Sequence, residues 1–104
     1  MELSTRMNRS YGLATKARAL QGQHAHVVAA LREVSQLAFN VAGCQSYVVS
    51  TLPGEPDAIF ITEFWSDRES RQSAFGLSGI YEIAVRFRAL TTEIQQYELK
   101  PLAN

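Results

Sequence analysis

The clearest pattern of apolar and polar positions lies in Ala58–Ser70, AIFITEFWSDRES. Ile59, Phe60, Ile61, Thr62, Phe64 and Trp65 are β-branched or aromatic, the types that pack well on a pleated surface. Strand alternation puts Ala58, Phe60, Thr62 and Phe64 on one face and Ile59, Ile61, Glu63 and Trp65 on the other. Both faces are largely apolar, so both are expected to be covered. One can be covered by the chain's own helices, and a partner subunit is the simplest cover for the other. Ser66-Asp67-Arg68-Glu69 then reads as a capping box, with the Ser66 hydroxyl serving the Glu69 amide and Glu69 reaching back to Ser66.

The rest of the chain is ordered around this strand. Tyr11–Ala19 alternates as a first strand and is broken by Gln21-Gly22-Gln23. Val27, Leu31, Val34 and Ala38 recur at helical spacing, which predicts a helix over about His24–Asn40. Gly43 suits the turn into a second strand, Cys44–Leu52. Pro53 to Asp57 is a turn by composition. The third strand, Asp57–Trp65, therefore forms a hairpin with the second. A helix from Ser66 to about Phe75 follows. Gly76 to Gly79 breaks it, and Ser78 is placed to cap the next one. Ile80, Ile83, Ala84, Phe87 and Leu90 predict a further helix over about Gly79–Thr92, before a last strand, Glu93–Leu99.

The order is βαββαβ, with the second helix split in two. This is an α+β, ferredoxin-like arrangement: a four-stranded antiparallel sheet with helices on one face. The open face would carry aromatic side chains, which predicts a two-fold homodimer.

Composition narrows the functional classes. The 104 residues suit one domain, expected over 10–104, behind a polar tail at residues 1–9. A hydrophobic fraction of 46% with zero formal net charge argues for a globular fold. The same balance argues against nucleic-acid or anionic-membrane partners, which need a basic face. Cys44 is the single cysteine, so neither a disulfide framework nor a cysteine zinc site is expected. No apolar run approaches membrane-spanning length, and the N-terminus lacks the apolar segment of a signal peptide, so the expected location is the cytoplasm. Phosphate loops and nucleotide fingerprints are absent.

Several residues carry a resemblance: Gly22 before a long helix, Ala42-Gly43-Cys44 leading into strand two, Tyr47 within it, and Glu63-Phe64-Trp65-Ser66 with the capped helix behind. Over about residues 10–100 the chain resembles the antibiotic biosynthesis monooxygenase domain family, of the dimeric α+β barrel superfamily. The resemblance implies a dimeric barrel and a pocket between sheet and helices for an apolar aromatic or quinol-like molecule. It also implies, for some members, oxygenation with molecular oxygen and no cofactor. A haem-degrading branch uses an Asn in strand one, a Trp ending strand three and a His in the next helix. Here Trp65 matches, while Thr15 and Ala74 or Phe75 stand at the other two positions. The haem-ligating His is therefore missing, and the catalytic residue is unassigned.

The pocket candidates are Trp65, Phe75, Thr15, Ile61, Glu63 and Tyr47. Ser73 and Tyr97 are further hydroxyls. His24 and His26, two residues apart, do not share a helix face, so a metal site is not expected there. Glu63 on a buried face needs a partner, with Lys16, Arg18 and Arg86 available; it serves either as a general base or in a structural ion pair. Three functions remain open. One is cofactor-independent oxygenation of an electron-rich ring. The second is non-catalytic binding of a small apolar molecule. The third is an interaction protein whose pocket is filled by Phe75.

Overall fold

The computed structural model describes residues 11–103. The expected tail at residues 1–9 lies outside them. The element order is β1 (Tyr11–Ala19), α1 (His24–Phe39), β2 (Cys44–Leu52), β3 (Glu55–Trp65), α2 (Arg68–Phe75), α3 (Ser78–Ala89) and β4 (Thr91–Leu99). The strands form one antiparallel sheet in the order β2-β3-β1-β4. This is the ferredoxin-like α+β fold that the alternation and helical spacing predict.

The alternation of β3 fixes the two sides of the sheet. Ile59, Ile61, Glu63 and Trp65 are buried beneath the helices, while Phe60, Thr62 and Phe64 are half-buried on the opposite side. Directly opposed residues share a face, so the register extends this division across the sheet. Tyr47 lies opposite Glu63, and Thr15 lies between Ile61 and Gln96. The core above these rows has two clusters. One gathers Ala17, Val27, Leu31, Ile59, Ile61 and Phe87; the other gathers Val34, Ala38, Trp65, Ala74, Ile80 and Ile83. The opposite face carries Val48 and Tyr97, both exposed, and Phe64 packed so closely over Gly12 that a Cβ there would meet its ring at 2.7 Å.

Several boundaries differ from the sequence reading. β3 begins at Glu55 rather than Asp57. Pro56 is accommodated because the β2–β3 register shifts between Thr51 and Leu52, and a proline without an N–H is tolerated at such a bulge. The capping box at Ser66 is not formed. The Ser66 amide donates to the Gly43 carbonyl at 2.8 Å, which holds Ser66 in the strand-to-helix connection. The N-cap is instead Asp67, whose Oδ1 accepts from the Ser70 amide and the Ser70 hydroxyl, each at 2.7 Å. These two hydrogen bonds hold the Asp67 carboxyl below its ordinary value. Gly43, at φ 92°, lies tightly against Ser70, so a side chain there would be strained and obstructed.

α3 starts at Ser78 behind Leu77, with no side-chain cap, and ends at Ala89. The Thr91 hydroxyl donates to the Phe87 carbonyl at 2.7 Å, satisfying a last-turn acceptor as β4 begins. Among the described residues, no helix is long and apolar enough to cross a membrane.

Candidate functional site

A cavity of about 520 Å³ lies between the helices and the sheet, and every one of the seven elements contributes to its wall. Leu31 and Val34 from α1, Ile61 from β3, Phe75 from α2 and Phe87 from α3 supply apolar surface. Its volume falls in the usual range for small-molecule sites, about 300–1,000 Å³. Phe75 thus forms part of the wall of an open space, and the expectation of a pocket filled by that side chain is not met.

The closed end is polar. Glu63 is 1% exposed and accepts three hydrogen bonds. Trp65 Nε1 donates to Oε1 at 2.8 Å, Arg71 Nε donates to Oε1 at 2.7 Å, and Arg71 Nη2 donates to Oε2 at 3.2 Å. The fork of the guanidinium thus meets both carboxylate oxygens, the geometry that makes an arginine–carboxylate pair strong. Arg71 also stacks over the Phe75 ring at 4.2 Å. Phe75 in turn meets Trp65 edge-on, with centroids 6.4 Å apart.

The partner of Glu63 is therefore Arg71, not Lys16, Arg18 or Arg86. The register explains the first two: Lys16 lies opposite Phe60 and Arg18 opposite Ala58, on the other face of the sheet. There they pair with Glu55, and Arg18 also with Asp57 and Glu93. Arg86 pairs with Glu33 at 3.7 Å. The i, i+8 relation of Glu63 and Arg71 spans a chain reversal, so neither strand nor helix periodicity reveals it. The signal that was available is that α2 begins three residues after Trp65 and folds back over the end of its own strand.

Tyr47 stands beside this pair, opposite Glu63 across the β2–β3 ladder. Burial raises its phenol well above the ordinary tyrosine value, and the Glu63 carboxylate adds to the effect. The hydroxyl accordingly keeps its proton at neutral pH. Burial also raises the Cys44 thiol, at the start of β2 beneath Tyr47. At the β4 side, Gln96 Nε2 donates to Thr15 Oγ1 at 3.0 Å, which ties two wall residues together.

Five of the six candidate residues, Thr15, Tyr47, Ile61, Glu63 and Phe75, line this one cavity. Trp65 does not. It is 0% exposed within the core cluster of Val34, Ala38 and Ile80, and it acts on the cavity through Glu63 and Phe75. Arg71, Gln96 and the mouth residues Tyr81, Val85, Arg88 and Ile94 were not foreseen. Tyr97 points to the opposite face, since its β1 neighbour is Ala14. Ser73 is not part of the wall. His26 Nδ1 lies 3.0 Å from Gln23 Oε1, and His24 Nε2 is buried without a hydrogen-bond partner among the described residues. Among the described residues, no group of three or more His, Cys, Asp or Glu side chains is placed to hold a metal ion.

Comparison with known proteins identifies the family to which this βαββαβ domain belongs. The sequence profile of the antibiotic biosynthesis monooxygenase family matches residues 10–76. The chain belongs to this family. A solved structure from Chloroflexus aurantiacus J-10-fl, named for the same family, is 35% identical, with a TM-score of 0.81 over 90% of this chain and 94% of that one. The fold is shared more widely. SnoaB, a cofactor-independent oxygenase from Streptomyces nogalater, superposes with a TM-score of 0.81 at 12% identity, over 92% of this chain and 96% of its own. PA3566 from Pseudomonas aeruginosa gives 0.82 at 18% identity, over 91% and 96%. No curated protein matches the chain.

Proposed function

We propose that the protein is a cofactor-independent monooxygenase acting on an electron-rich aromatic or quinol-like small molecule held in the 520 Å³ cavity. The observation that carries this reading is the combination of an apolar wall with one polar end made by Glu63, Arg71 and Tyr47. In this reading a planar ring would lie between Ile61 and Phe75, which both line the cavity, with its phenolic oxygen toward that end. The family and the shared fold with SnoaB support the reaction class.

The chemistry needs little from the protein. Deprotonation of a phenol raises electron density at the carbon para to it. That carbon gives an electron to dioxygen, and recombination forms a carbon–oxygen bond as a hydroperoxide. Loss of water then leaves a carbonyl. One oxygen atom enters the quinone, the other leaves as water, and the substrate supplies all the electrons. Glu63 Oε2 carries the longer of the Arg71 hydrogen bonds and keeps a lone pair for the substrate hydroxyl. Arg71 stabilises the resulting phenolate, and the apolar wall excludes water from the carbanion.

Oxygen uptake with a panel of hydroquinones and naphthols tests this. Wild type should exceed buffer autoxidation for at least one compound, and Arg71→Met should lose about ten-fold or more of that rate. Uptake equal to buffer across the panel would overturn the catalytic reading. One observation favours a second reading, a binding module without turnover: the Glu63 carboxylate already accepts three hydrogen bonds from the protein itself, which lessens its capacity as a base. Saturable binding without oxygen uptake would select it. We further propose that the open sheet face, with Phe60, Phe64, Val48 and Tyr97, pairs with a second copy of the chain. Sedimentation should then give twice the 11.6 kDa chain mass.

A further inference from the structure

The cavity opens between α3 and β4, and the rim there differs from the closed end. α3 carries two stripes. Ile80 and Ile83 enter the core, Phe87 reaches both core and cavity, and Tyr81, Ala84, Val85 and Arg88 line the cavity at helical spacing. Ile94 and Gln96 of β4 complete the wall on this side. Tyr81 is 58% and Val85 50% exposed, so this end faces solvent.

Arg88 is the feature that apolar binding alone does not account for. Among the described residues, Lys16, Arg18, Arg68, Arg71 and Arg86 each lie within ion-pair distance of a carboxylate. Arg32, Arg88 and Lys100 have no such partner there, and of these three only Arg88 lines the cavity. Among the described residues, Glu63 is the one carboxylate that lines the cavity, and it is already matched to Arg71 at the closed end. Among the described residues the wall is therefore left with one unmatched positive charge, at its mouth, on a side chain whose planar fork suits a carboxylate.

From this we infer that the ligand is an aromatic carboxylate: a planar ring whose phenolic oxygen reaches Glu63 and Arg71 and whose carboxylate remains at the mouth, paired with Arg88. The inference rests on the reading of the cavity as an aromatic site and specifies the substrate class within it. The mouth's apolar residues lower the local exposure of the pair once a ring is seated, so the attraction is screened less than that of a free surface ion pair. A neutral ligand of the same shape would lose this contact and leave Arg88 desolvated without a partner.

The test is calorimetric titration of the full-length chain with two isosteric probes, 6-hydroxy-2-naphthoate and 6-hydroxy-2-naphthamide. Wild type should bind the carboxylate at least about five-fold more tightly than the amide. Arg88→Met should abolish the preference by weakening the carboxylate alone, and Arg88→Lys should keep part of it. Equal affinity for the two probes in wild type, or a preference that survives in Arg88→Met, would overturn the inference while leaving the aromatic site intact. Failure of both probes to bind wild type would overturn the aromatic reading itself and the inference with it.

Discussion

The two ends of the cavity are built on different terms. At the closed end every charged group has its partner within the protein: Glu63 accepts from Trp65 and Arg71, and Arg71 stacks on Phe75. At the mouth, Tyr81 and Val85 are exposed and Arg88 has no carboxylate among the described residues. The closed end is therefore coupled to folding, because each of its members would be costly to bury alone. The mouth can change with little effect on stability, because its side chains are already in water. Chemistry is expected to depend on the first, and choice of ligand on the second.

Substitutions separate the two, and the largest effect is expected at Trp65. Trp65→Ala empties a fully buried site and removes a donor to Glu63, and should cost about 3–5 kcal/mol in urea unfolding. A loss below about 1 kcal/mol would mean that the closed end is not tied to the core. Arg71→Ala leaves the Glu63 carboxylate buried with its main partner gone, and should cost about 3 kcal/mol. The double variant Glu63→Gln with Arg71→Met should recover much of that loss, since breaking one half of a buried pair costs more than replacing both halves. Additive losses in the double variant would break the coupling claimed for this end.

A pH experiment sharpens the comparison further. The Tyr47 phenol is raised in the folded state, so the unfolded chain releases this proton first. Its contribution is fully present below the ordinary tyrosine value of about 10 and is lost as pH rises toward the folded value. Wild type should therefore lose more stability above pH about 10 than Tyr47→Phe does. Parallel losses in the two proteins would show that Tyr47 is not held by its surroundings. The smallest stability effect belongs to the mouth. Tyr81→Ser and Val85→Ser should each stay within about 0.5 kcal/mol of wild type, as exposed substitutions usually do. Both should weaken binding of an aromatic probe by several-fold, as loss of apolar contact area predicts. Destabilisation comparable to that of Trp65→Ala would erase the distinction between the ends.

The sequence made this architecture legible because its elements are locally consistent. β1 and β2 are found over the residues expected, and the alternation of β3 correctly put Ile59, Ile61, Glu63 and Trp65 on one face. Thr15, Tyr47, Ile61, Glu63 and Phe75 could be proposed as cavity residues because strand faces and the family resemblance both point inward. Two things were hidden. Which residue caps α2 depends on contacts that Ser66 makes outside its own element, among them the backbone hydrogen bond to Gly43 in a distant turn. The contact of Arg71 with Glu63, and the mouth formed by α3 against β4, depend on how helices lie across the sheet, which periodicity along one element does not encode.

The proposed binding site is the cavity between sheet and helices, and filling that cavity is the sharpest check on the assignment. Ala84 lines the wall from α3 between the two ends, partly buried. Calorimetric titration with 6-hydroxy-2-naphthoate should show one saturable site per chain in wild type, and Ala84→Phe should abolish that site while retaining the far-ultraviolet circular dichroism of the folded protein. Unchanged binding in a folded Ala84→Phe protein would place the ligand elsewhere and contradict this assignment.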